Sequence, residues 1–361
     1  MKLKKKLAFV LFLILLISIS GCKGKKDVRK ALDEIRTGTE GIVMSFLANA
    51  PPSRIIVEQG IDNPPFDVIL ELKNKGAYPQ PENAITAPPG KVYLSGYDKN
   101  IISFDKNSLE DLSGKPLEGK STINPIGGFD FLTFKGTVNI ENLIVEKYEP
   151  TLQAIVCYQY WTIAGPSVCI DPDPYSTITE KKVCNVQSIS LSSQGAPIAV
   201  TKIEEDALAT KTQFRITIKN VGSGEVFKDS SLEKCSPFGE KVGREDIDKV
   251  YVNFVKVGNK ELACRPFIDR ADQFVKGASG YVRLINGEGT IICELPGSDY
   301  ASTKSAYTTP INIYLQYAYR NTIEKKLLIK MEGGGLGDSY TPTAPDKSRY
   351  EPTAEDAKAG P

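Results

Sequence analysis

The chain has 361 residues and a formal net charge of +1, with acidic and basic residues mixed along its length. Such a balance excludes the strongly basic surface of a nucleic-acid-binding protein. Histidine is absent, which removes the commonest general base and the commonest metal ligand, so we predict neither an enzyme nor a bound cofactor.

The N-terminus has the pattern of a secretory leader. Lysines at positions 2, 4, 5 and 6 precede an almost entirely apolar run from Leu7 to Ser20. That run is shorter than the ~20 apolar residues of a membrane-spanning helix. We therefore predict a signal peptide over residues 1–21.

The leader ends in Ile19-Ser20-Gly21-Cys22, which resembles a lipobox. The resemblance implies that Cys22 is the lipid attachment residue and the mature N-terminus, and two acyl chains give a durable tether to the membrane. The alternative is an uncleaved signal anchor. Both interpretations place the rest of the chain on the extracytoplasmic face of the cell membrane.

Two flanking segments complete the predicted layout. Residues 22–44 are predicted as an anchor and a short helical stalk, with Val28, Leu32 and Ile35 on one helix face and Asp27 as its N-cap. Residues 332–361 are rich in Gly, Pro, Ser, Thr and charges, which predicts a disordered tail.

The body of the chain has the period-two alternation of half-buried strands and contains an internal repeat. Residues 72–76 (Leu-Lys-Asn-Lys-Gly) match residues 218–222 (Ile-Lys-Asn-Val-Gly), where Asn and Gly suit a turn with positive φ. Three further blocks match in the same order: residues 91–94 with 249–252, residues 136–138 with 289–291, and the tyrosine-rich strand around Tyr158 and Tyr160 with that around Tyr317 and Tyr319. We predict an all-β fold of two tandem immunoglobulin-like antiparallel β-sandwiches, over residues 45–190 and 196–331.

The repeated 72–76 and 218–222 segments resemble the strand and turn of CARDB-like and other immunoglobulin-like modules on prokaryotic cell surfaces. Residues 41–79 are also similar to a group of uncharacterised archaeal secreted proteins. The CARDB resemblance implies a role in extracellular adhesion or spacing rather than in catalysis.

Seven cysteines are present, and six remain when Cys22 is set aside. An even number in an exported chain indicates disulfides, although sequence alone does not choose among the possible pairings. A zinc site is the alternative, but the chain has no C-x-x-C pair. We predict the pairs Cys169–Cys184, Cys264–Cys293 and Cys157–Cys235, the last of which connects the two domains.

Two groups of residues are candidate binding sites. Asp171 and Asp173, in an Asp-Pro-Asp-Pro segment, are weak candidates for Ca²⁺ ligands, and a rigid turn is the favoured interpretation because Pro fixes φ and Asp starts turns. Trp161, the only tryptophan, follows Tyr158 and Tyr160 and could form a binding patch with them. We favour packing in the core for these aromatic residues.

These features together predict a lipid-anchored structural or adhesive binding module at the cell surface. Its partners would be the membrane, through the lipid on Cys22, and another envelope or surface protein, with contacts at sheet edges, outward loops and the long 100–130 segment. The alternatives are a solute-binding lipoprotein of a transport system, which needs α/β lobes around a cleft, and a β-sandwich hydrolase, which needs a cleft with paired carboxylates.

Overall fold

The computed structural model describes residues 35–58, 63–80, 87–143, 145–176, 182–240, 242–268, 275–277, 279–300 and 305–332. The predicted leader, Cys22, residues 22–34 of the predicted anchor and stalk, and the predicted tail from residue 333 lie outside these residues, so those predictions stay predictions. Within the described residues, no helix has the length and apolar composition that crossing a membrane requires.

The described residues are mostly β-strand, which confirms the all-β prediction. The strands of the first half are β1 (Ile42–Phe46), β2 (Arg54–Glu58), β3 (Pro65–Asn74), β4 (Gly90–Ser95), β5 (Ile102–Phe104), β6 (Leu109–Asp111), β7 (Phe129–Val138), β8 (Lys147–Tyr148), β9 (Thr151–Ala164) and β10 (Ser167–Ile170). Those of the second half are β11 (Ile189–Ser190), β12 (Ile198–Leu208), β13 (Lys211–Asn220), β14 (Glu225–Phe227), β15 (Lys249–Val257), β16 (Lys260–Glu261), β17 (Ala263–Arg265), β18 (Val275–Lys276), β19 (Gly280–Arg283), β20 (Glu288–Pro296), β21 (Tyr307–Lys326) and β22 (Leu328–Glu332). Short 3-10 turns lie at Asp105–Ser108, Ile140–Asn142, Asp229–Cys235 and Gly297–Asp299.

The strands form two outer sheets that pack against one shared central sheet, and a small fourth sheet in the order β2-β22-β8. The first outer sheet has the order β1-β3-β7-β5, and the second has the order β11-β12-β13-β20-β17-β18. The central sheet runs β16-β15-β21-β9-β4-β6, with β10, β14 and β19 attached to it. Apolar residues at alternate positions, such as Val68, Leu70 and Leu72 in β3, point into a continuous core.

The central sheet has approximate two-fold symmetry about the pairing of its two longest strands. β9 and β21 are the corresponding strands of the sequence repeat, and they pair antiparallel along the whole of β9. Tyr158 lies opposite Tyr319, and Tyr160 lies opposite Tyr317. Because Tyr158 corresponds to Tyr317 and Tyr160 to Tyr319, exchanging the two repeats reproduces the same pairs. All four tyrosines are fully buried in the core between the sheets.

The two halves also exchange their last strands. After β9, strand β10 crosses to the start of β21, where Ile170 lies opposite Tyr307. After β21, strand β22 crosses to the first half, where Ile329 lies opposite Tyr148 and also pairs with Ile55 of β2. Each half is therefore completed by a strand from the other half, and the two sandwiches form one intertwined unit.

The repeated Lys-Asn-x-Gly segment holds a buried hydrogen-bonded corner. In the first half, Asn74 Oδ1 accepts hydrogen bonds from Tyr160 Oη at 3.0 Å and from the Gly76 N–H at 3.1 Å. Asn74 Nδ2 donates to the carbonyl oxygens of Tyr78 at 2.7 Å and Leu117 at 2.8 Å. The Tyr78 N–H donates to Tyr160 Oη at 3.2 Å, so one asparagine and one tyrosine connect the outer sheet to the central sheet.

The second half repeats this corner with the corresponding residues. Asn220 Oδ1 accepts from Tyr319 Oη at 3.0 Å and from the Gly222 N–H at 3.2 Å, and Asn220 Nδ2 donates to the Gly224 carbonyl at 2.9 Å. In both halves, the motif asparagine therefore connects the outer sheet to the central sheet by a hydrogen bond to a tyrosine. The expected positive φ at this turn is wrong, since neither asparagine nor either motif glycine adopts it. Glycine is required at Gly76 and Gly222 because a Cβ there would collide with the tyrosine hydroxyl.

Two of the sequence matches identify the correct strands but the wrong register. Gly136 pairs with Phe66, whereas Gly289 pairs with Ile218, the counterpart of Leu72. Lys91 lies opposite Cys157, so its structural counterpart is Tyr251, opposite Gln316, rather than Lys249. The error arises because a shift by an even number of residues keeps every side chain on the same face. The domain boundaries at 45–190 and 196–331 stay a prediction.

Candidate functional site

The cysteines pair as predicted, in the disulfides Cys157–Cys235, Cys169–Cys184 and Cys264–Cys293. The first connects β9 to the 3-10 turn Asp229–Cys235 and so connects the two halves. The second closes the loop that holds Asp171, and the third joins the neighbouring strands β17 and β20. Cys22 lies outside the described residues, so its lipid attachment stays a prediction.

The acidic loop has the contacts of a turn with an internal ion pair. Asp171 Oδ2 accepts from Lys182 Nζ at 2.5 Å, and its Oδ1 accepts from the Asp173 N–H at 3.1 Å. Lys182 Nζ also donates to the Asp173 carbonyl at 2.9 Å. A lysine ammonium thus binds both candidate residues. Across the described part of the chain, no cluster of three or more acidic or cysteine residues is arranged to hold a metal ion.

The outer face of the central sheet, which points away from the main core, is covered on one side of the two-fold axis. Tyr93, Ile155 and Cys157 lie there in a separate buried cluster with Phe227 and Cys235. Segment 228–248 of the second half, described at residues 228–240 and 242–248, forms the cover, and the Cys157–Cys235 disulfide fastens it to the sheet. Apolar residues on this side are therefore removed from solvent by the chain itself.

On the other side of the axis, the counterparts of the covered residues are only partly buried. The pairing register equates Tyr93 with Phe254 and Ile155 with Tyr314, because Tyr93 lies opposite Ile155 and Phe254 lies opposite Tyr314. Both Phe254 and Tyr314 keep part of their surface accessible, as does Trp161. The symmetry is broken here, since a covered cluster on one side corresponds to accessible aromatic rings on the other.

These rings form a continuous line across three strands, which we call the aromatic row (Tyr78, Trp161, Tyr314 and Phe254). The rings of Phe254 and Tyr314 are nearly parallel, and their centroids are 5.3 Å apart. The centroid distance is 5.2 Å between Tyr314 and Trp161, and 4.4 Å between Trp161 and Tyr78. Lys256 Nζ lies 4.6 Å from the Phe254 centroid. Tyr78 closes the buried end of the row, and burial raises its pKa to about 12.

The surroundings of the aromatic row are polar but mostly uncharged. Gln316 lies opposite Trp161 in the sheet, and Asn312 lies two positions before Tyr314 on the same face. Ile163, opposite Tyr314, lines a cleft of about 660 Å³ whose lining mixes apolar residues with hydroxyl- and amide-bearing ones. The polar residues of this lining are Arg36, Ser167, Ser190, Ser192, Ser193 and Gln194. Amides and hydroxyls both donate and accept, so this surface matches a neutral, hydrogen-bonding ligand.

Sequence reasoning favoured core packing for the aromatic residues of the 158–161 segment; two of them are in the core, and Trp161 is partly buried and packs against its edge. Tyr158 and Tyr160 are fully buried, whereas Trp161 lies on the opposite face, in the aromatic row. Strand alternation could have separated them, because neighbouring residues point to opposite faces. The contributions of Phe254 and Tyr314 were missed, since only the pairing of distant strands brings them beside Trp161.

A buried carboxyl lies beside the Cys169–Cys184 loop. Glu205 Oε2 accepts from the Cys169 N–H at 3.2 Å, while Oε1 is buried without a hydrogen-bond partner. Burial, with a smaller contribution from the Asp206 charge, raises the pKa of Glu205 to about 7. Glu205 also borders a cleft of about 510 Å³, but its side chain is buried and Oε2 is engaged by the Cys169 N–H, which favours a structural role.

Glu205→Gln is expected to flatten the pH dependence of stability between about pH 4.5 and pH 7. The wild-type folded state keeps a proton in this window that the unfolded state has released, so wild-type stability falls as the pH rises and levels off above about pH 7. Above that pH the variant should be more stable than wild type by about 1–2 kcal/mol, a figure reduced for partial solvation. Urea unfolding at a series of pH values measures this.

The neighbouring Glu204→Gln is the matched control, because Glu204 is partly exposed beside Lys202 and its pKa is lowered, chiefly by that lysine's hydrogen bond and charge. This control should leave the profile between pH 5 and pH 7 unchanged. A wild-type profile that is flat in that window would contradict the account of Glu205.

No family model matches the chain, and no curated protein matches it either. Among solved structures, it is similar to the CupB6 tip adhesin from Pseudomonas aeruginosa, with 9% identity, coverage of 82% of this chain and 98% of that chain, and a TM-score of 0.16. A chain titled BspA_C_WT has 8% identity, coverage of 80% of this chain and 99% of that chain, and a TM-score of 0.14. At these TM-scores the alignments carry no argument about this chain.

Proposed function

We propose that this protein is a lipid-anchored binding module on the extracytoplasmic face of the membrane, and that it contacts its ligand through the aromatic row. The leader and Cys22 support the anchoring. Three disulfides suit an oxidising compartment outside the cytoplasm. The intertwined fold supplies a rigid platform, which lowers the entropic cost of presenting a fixed surface.

The observation that carries the proposal is the broken symmetry of the central sheet. One copy of the outer face is covered by the chain and fastened by a disulfide, while the other leaves the aromatic rings of Trp161, Tyr314 and Phe254 only partly buried. Aromatic rings have large apolar faces, and leaving them accessible forgoes the stabilisation that burial gives. A contiguous accessible apolar patch of this kind marks an interaction site more often than a random surface does.

The ligand that fits the row best is an extended, mostly neutral saccharide chain. Pyranose rings have flat faces of C–H groups, and these carry the partial positive charge that the negative faces of aromatic rings attract. Their hydroxyls would bond to amides such as Gln316 and Asn312. The adjoining serine-rich cleft extends the same chemistry.

Neither alternative has equal support. A solute-binding lipoprotein needs two α/β lobes, whereas the described residues form an all-β fold with one shared sheet. A hydrolase needs two carboxyls that reach substrate together. In the cleft of about 510 Å³, Asp171 is paired with Lys182 and Glu205 is buried, which leaves Asp206 as the one exposed carboxyl of its described lining, so the aromatic row remains the better candidate.

The test uses Trp161 as a built-in probe, because it is the only tryptophan in the chain. Titration of the full chain with soluble glucose and N-acetylglucosamine hexasaccharides is expected to shift its fluorescence emission in a saturable manner for at least one sugar. Tyr314→Ala removes the central ring of the row and should weaken this binding by about tenfold. Isothermal titration calorimetry gives an independent affinity.

Tyr175→Ala is the matched control, since Tyr175 is an exposed aromatic residue on a loop away from the row. It should bind like wild type. The absence of a saturable response to either sugar, or an equal loss in the Tyr175 variant, would reject the aromatic row as a saccharide-binding surface.

A further inference from the structure

The first outer sheet has an edge that is only partly paired. β7 pairs with β3 along its length, but β5 pairs with β7 only from Gly136 to Val138. In the part of the chain that the structure describes, no strand pairs with the other side of β7 over residues 129–135. In the second half, β20 is the counterpart of β7. Its corresponding edge is paired with β17 at Cys293, the counterpart of Phe134, where the described residues leave the edge of β7 unpaired.

The hydrogen-bond register determines which backbone groups face this open edge. The Asn74 N–H donates to the Gly128 carbonyl at 2.9 Å, and the Val138 N–H donates to the Pro64 carbonyl at 3.2 Å, so even-numbered positions of β7 face β3. On the other side, the Asn139 N–H donates to the Ile101 carbonyl at 2.7 Å, so odd-numbered positions face outward. Antiparallel ladders alternate in this way.

The outward-facing positions are therefore Phe129, Phe131, Thr133 and Lys135. The Lys135 N–H is held by Asp105 Oδ1 at 2.9 Å, which leaves the first three positions as an open template for another strand. Phe129 and Phe131 are 51% and 46% exposed, and their ring centroids are 6.2 Å apart. An exposed aromatic pair on an unpaired strand edge combines backbone and apolar contact groups.

We propose that this edge pairs antiparallel with the same edge of a second copy of the chain, centred on Phe131. In that register Phe131 lies opposite its own copy, and Phe129 lies opposite Thr133. Each of these pairs exchanges both of its N–H···O bonds. Lys135 lies opposite Gly127, so no like charges meet.

The open length matches this register. The second copy's strand begins opposite Lys135, where its Gly127 lies, and the chain before Gly127 turns away because that glycine has a positive φ of 75°. That strand therefore stops short of β5, which begins to pair at Gly136. Pairing joins the two first outer sheets into one continuous sheet and shields both phenylalanine pairs.

Cysteine cross-linking tests the register directly. In the full chain, Phe131→Cys places a thiol opposite its own copy, at a spacing that a disulfide can bridge, so non-reducing electrophoresis should show a covalent dimer. Thr133→Cys is the matched control on the same strand and face, and its two thiols lie about four residues apart along the pair, beyond disulfide reach. Cross-linking at both positions, or at neither, would overturn the proposed pairing.

Sedimentation velocity of the uncross-linked protein gives the second test. The wild type should sediment as a dimer, and Phe131→Lys, which sets like charges opposite each other, should sediment as a monomer with an unchanged circular dichroism spectrum and melting temperature. A wild type that remains monomeric at every concentration up to about 100 µM would overturn the proposal, since a specific interface is expected to bind within that range.

Discussion

Asn74→Ala is expected to lower the free energy of unfolding by roughly 3–4 kcal/mol, the largest effect we predict for a single polar side chain here. Asn74 is fully buried and makes four hydrogen bonds, two through Nδ2 and two through Oδ1. Its removal leaves buried partners such as the Leu117 carbonyl and the Tyr160 hydroxyl with fewer bonds and no access to water. Each unsatisfied buried group carries a penalty of ~1–3 kcal/mol.

Asn220→Ala is the matched control, because Asn220 holds the equivalent corner of the second half. It makes three hydrogen bonds and is only partly buried, so water can replace part of what is lost. We expect a loss of about 1–2 kcal/mol. Urea unfolding followed by circular dichroism and by Trp161 fluorescence compares the two variants, and the shared sheet should make both probes report one transition.

A double-mutant cycle checks the mechanism. Tyr160→Phe removes the hydroxyl that bonds to Asn74, so combining it with Asn74→Ala should be less destabilising than the sum of the single changes. Additive effects, or an Asn220 variant that loses as much stability as the Asn74 variant, would contradict the assigned role of this corner.

Removing the Cys157–Cys235 disulfide by changing both residues to alanine is expected to destabilise the protein by about 4 kcal/mol. The two cysteines are 78 positions apart, so the bond restricts a long loop of the unfolded chain. It also fastens segment 228–248 over Tyr93 and Ile155. We therefore expect the variant to bind a hydrophobic dye and to exchange the amide hydrogens of this segment faster.

The Cys169–Cys184 disulfide is the comparison, since it closes a loop of 15 positions. Its removal should cost about 3 kcal/mol and leave dye binding near the wild-type level, because it does not cover the central sheet. A larger loss for this short loop, or unchanged exchange in segment 228–248 after removal of Cys157–Cys235, would contradict the covering role of that bond.

The sequence by itself determined the local character of this protein. Alternation along β3 and β13 specified strands and their buried faces, the paired Lys-Asn-x-Gly segments marked corresponding positions, and the spacing of cysteines suggested the three disulfides that the structure contains. Strand alternation depends on residues that are neighbours in sequence, and the presence of disulfides follows from the even number of cysteines, so both can be read from one sequence.

Only the tertiary structure decided how the halves join and which surfaces stay accessible. The pairing of β9 with β21, the exchange of β10 and β22, the cover over Tyr93 and the open edge at Phe131 all depend on strands that are distant in sequence. Alternation assigns a side chain to a face but does not state what lies against that face, and it is unchanged by a shift of two residues. For this reason Trp161 could be placed in a strand from the sequence, while its place in the aromatic row could not.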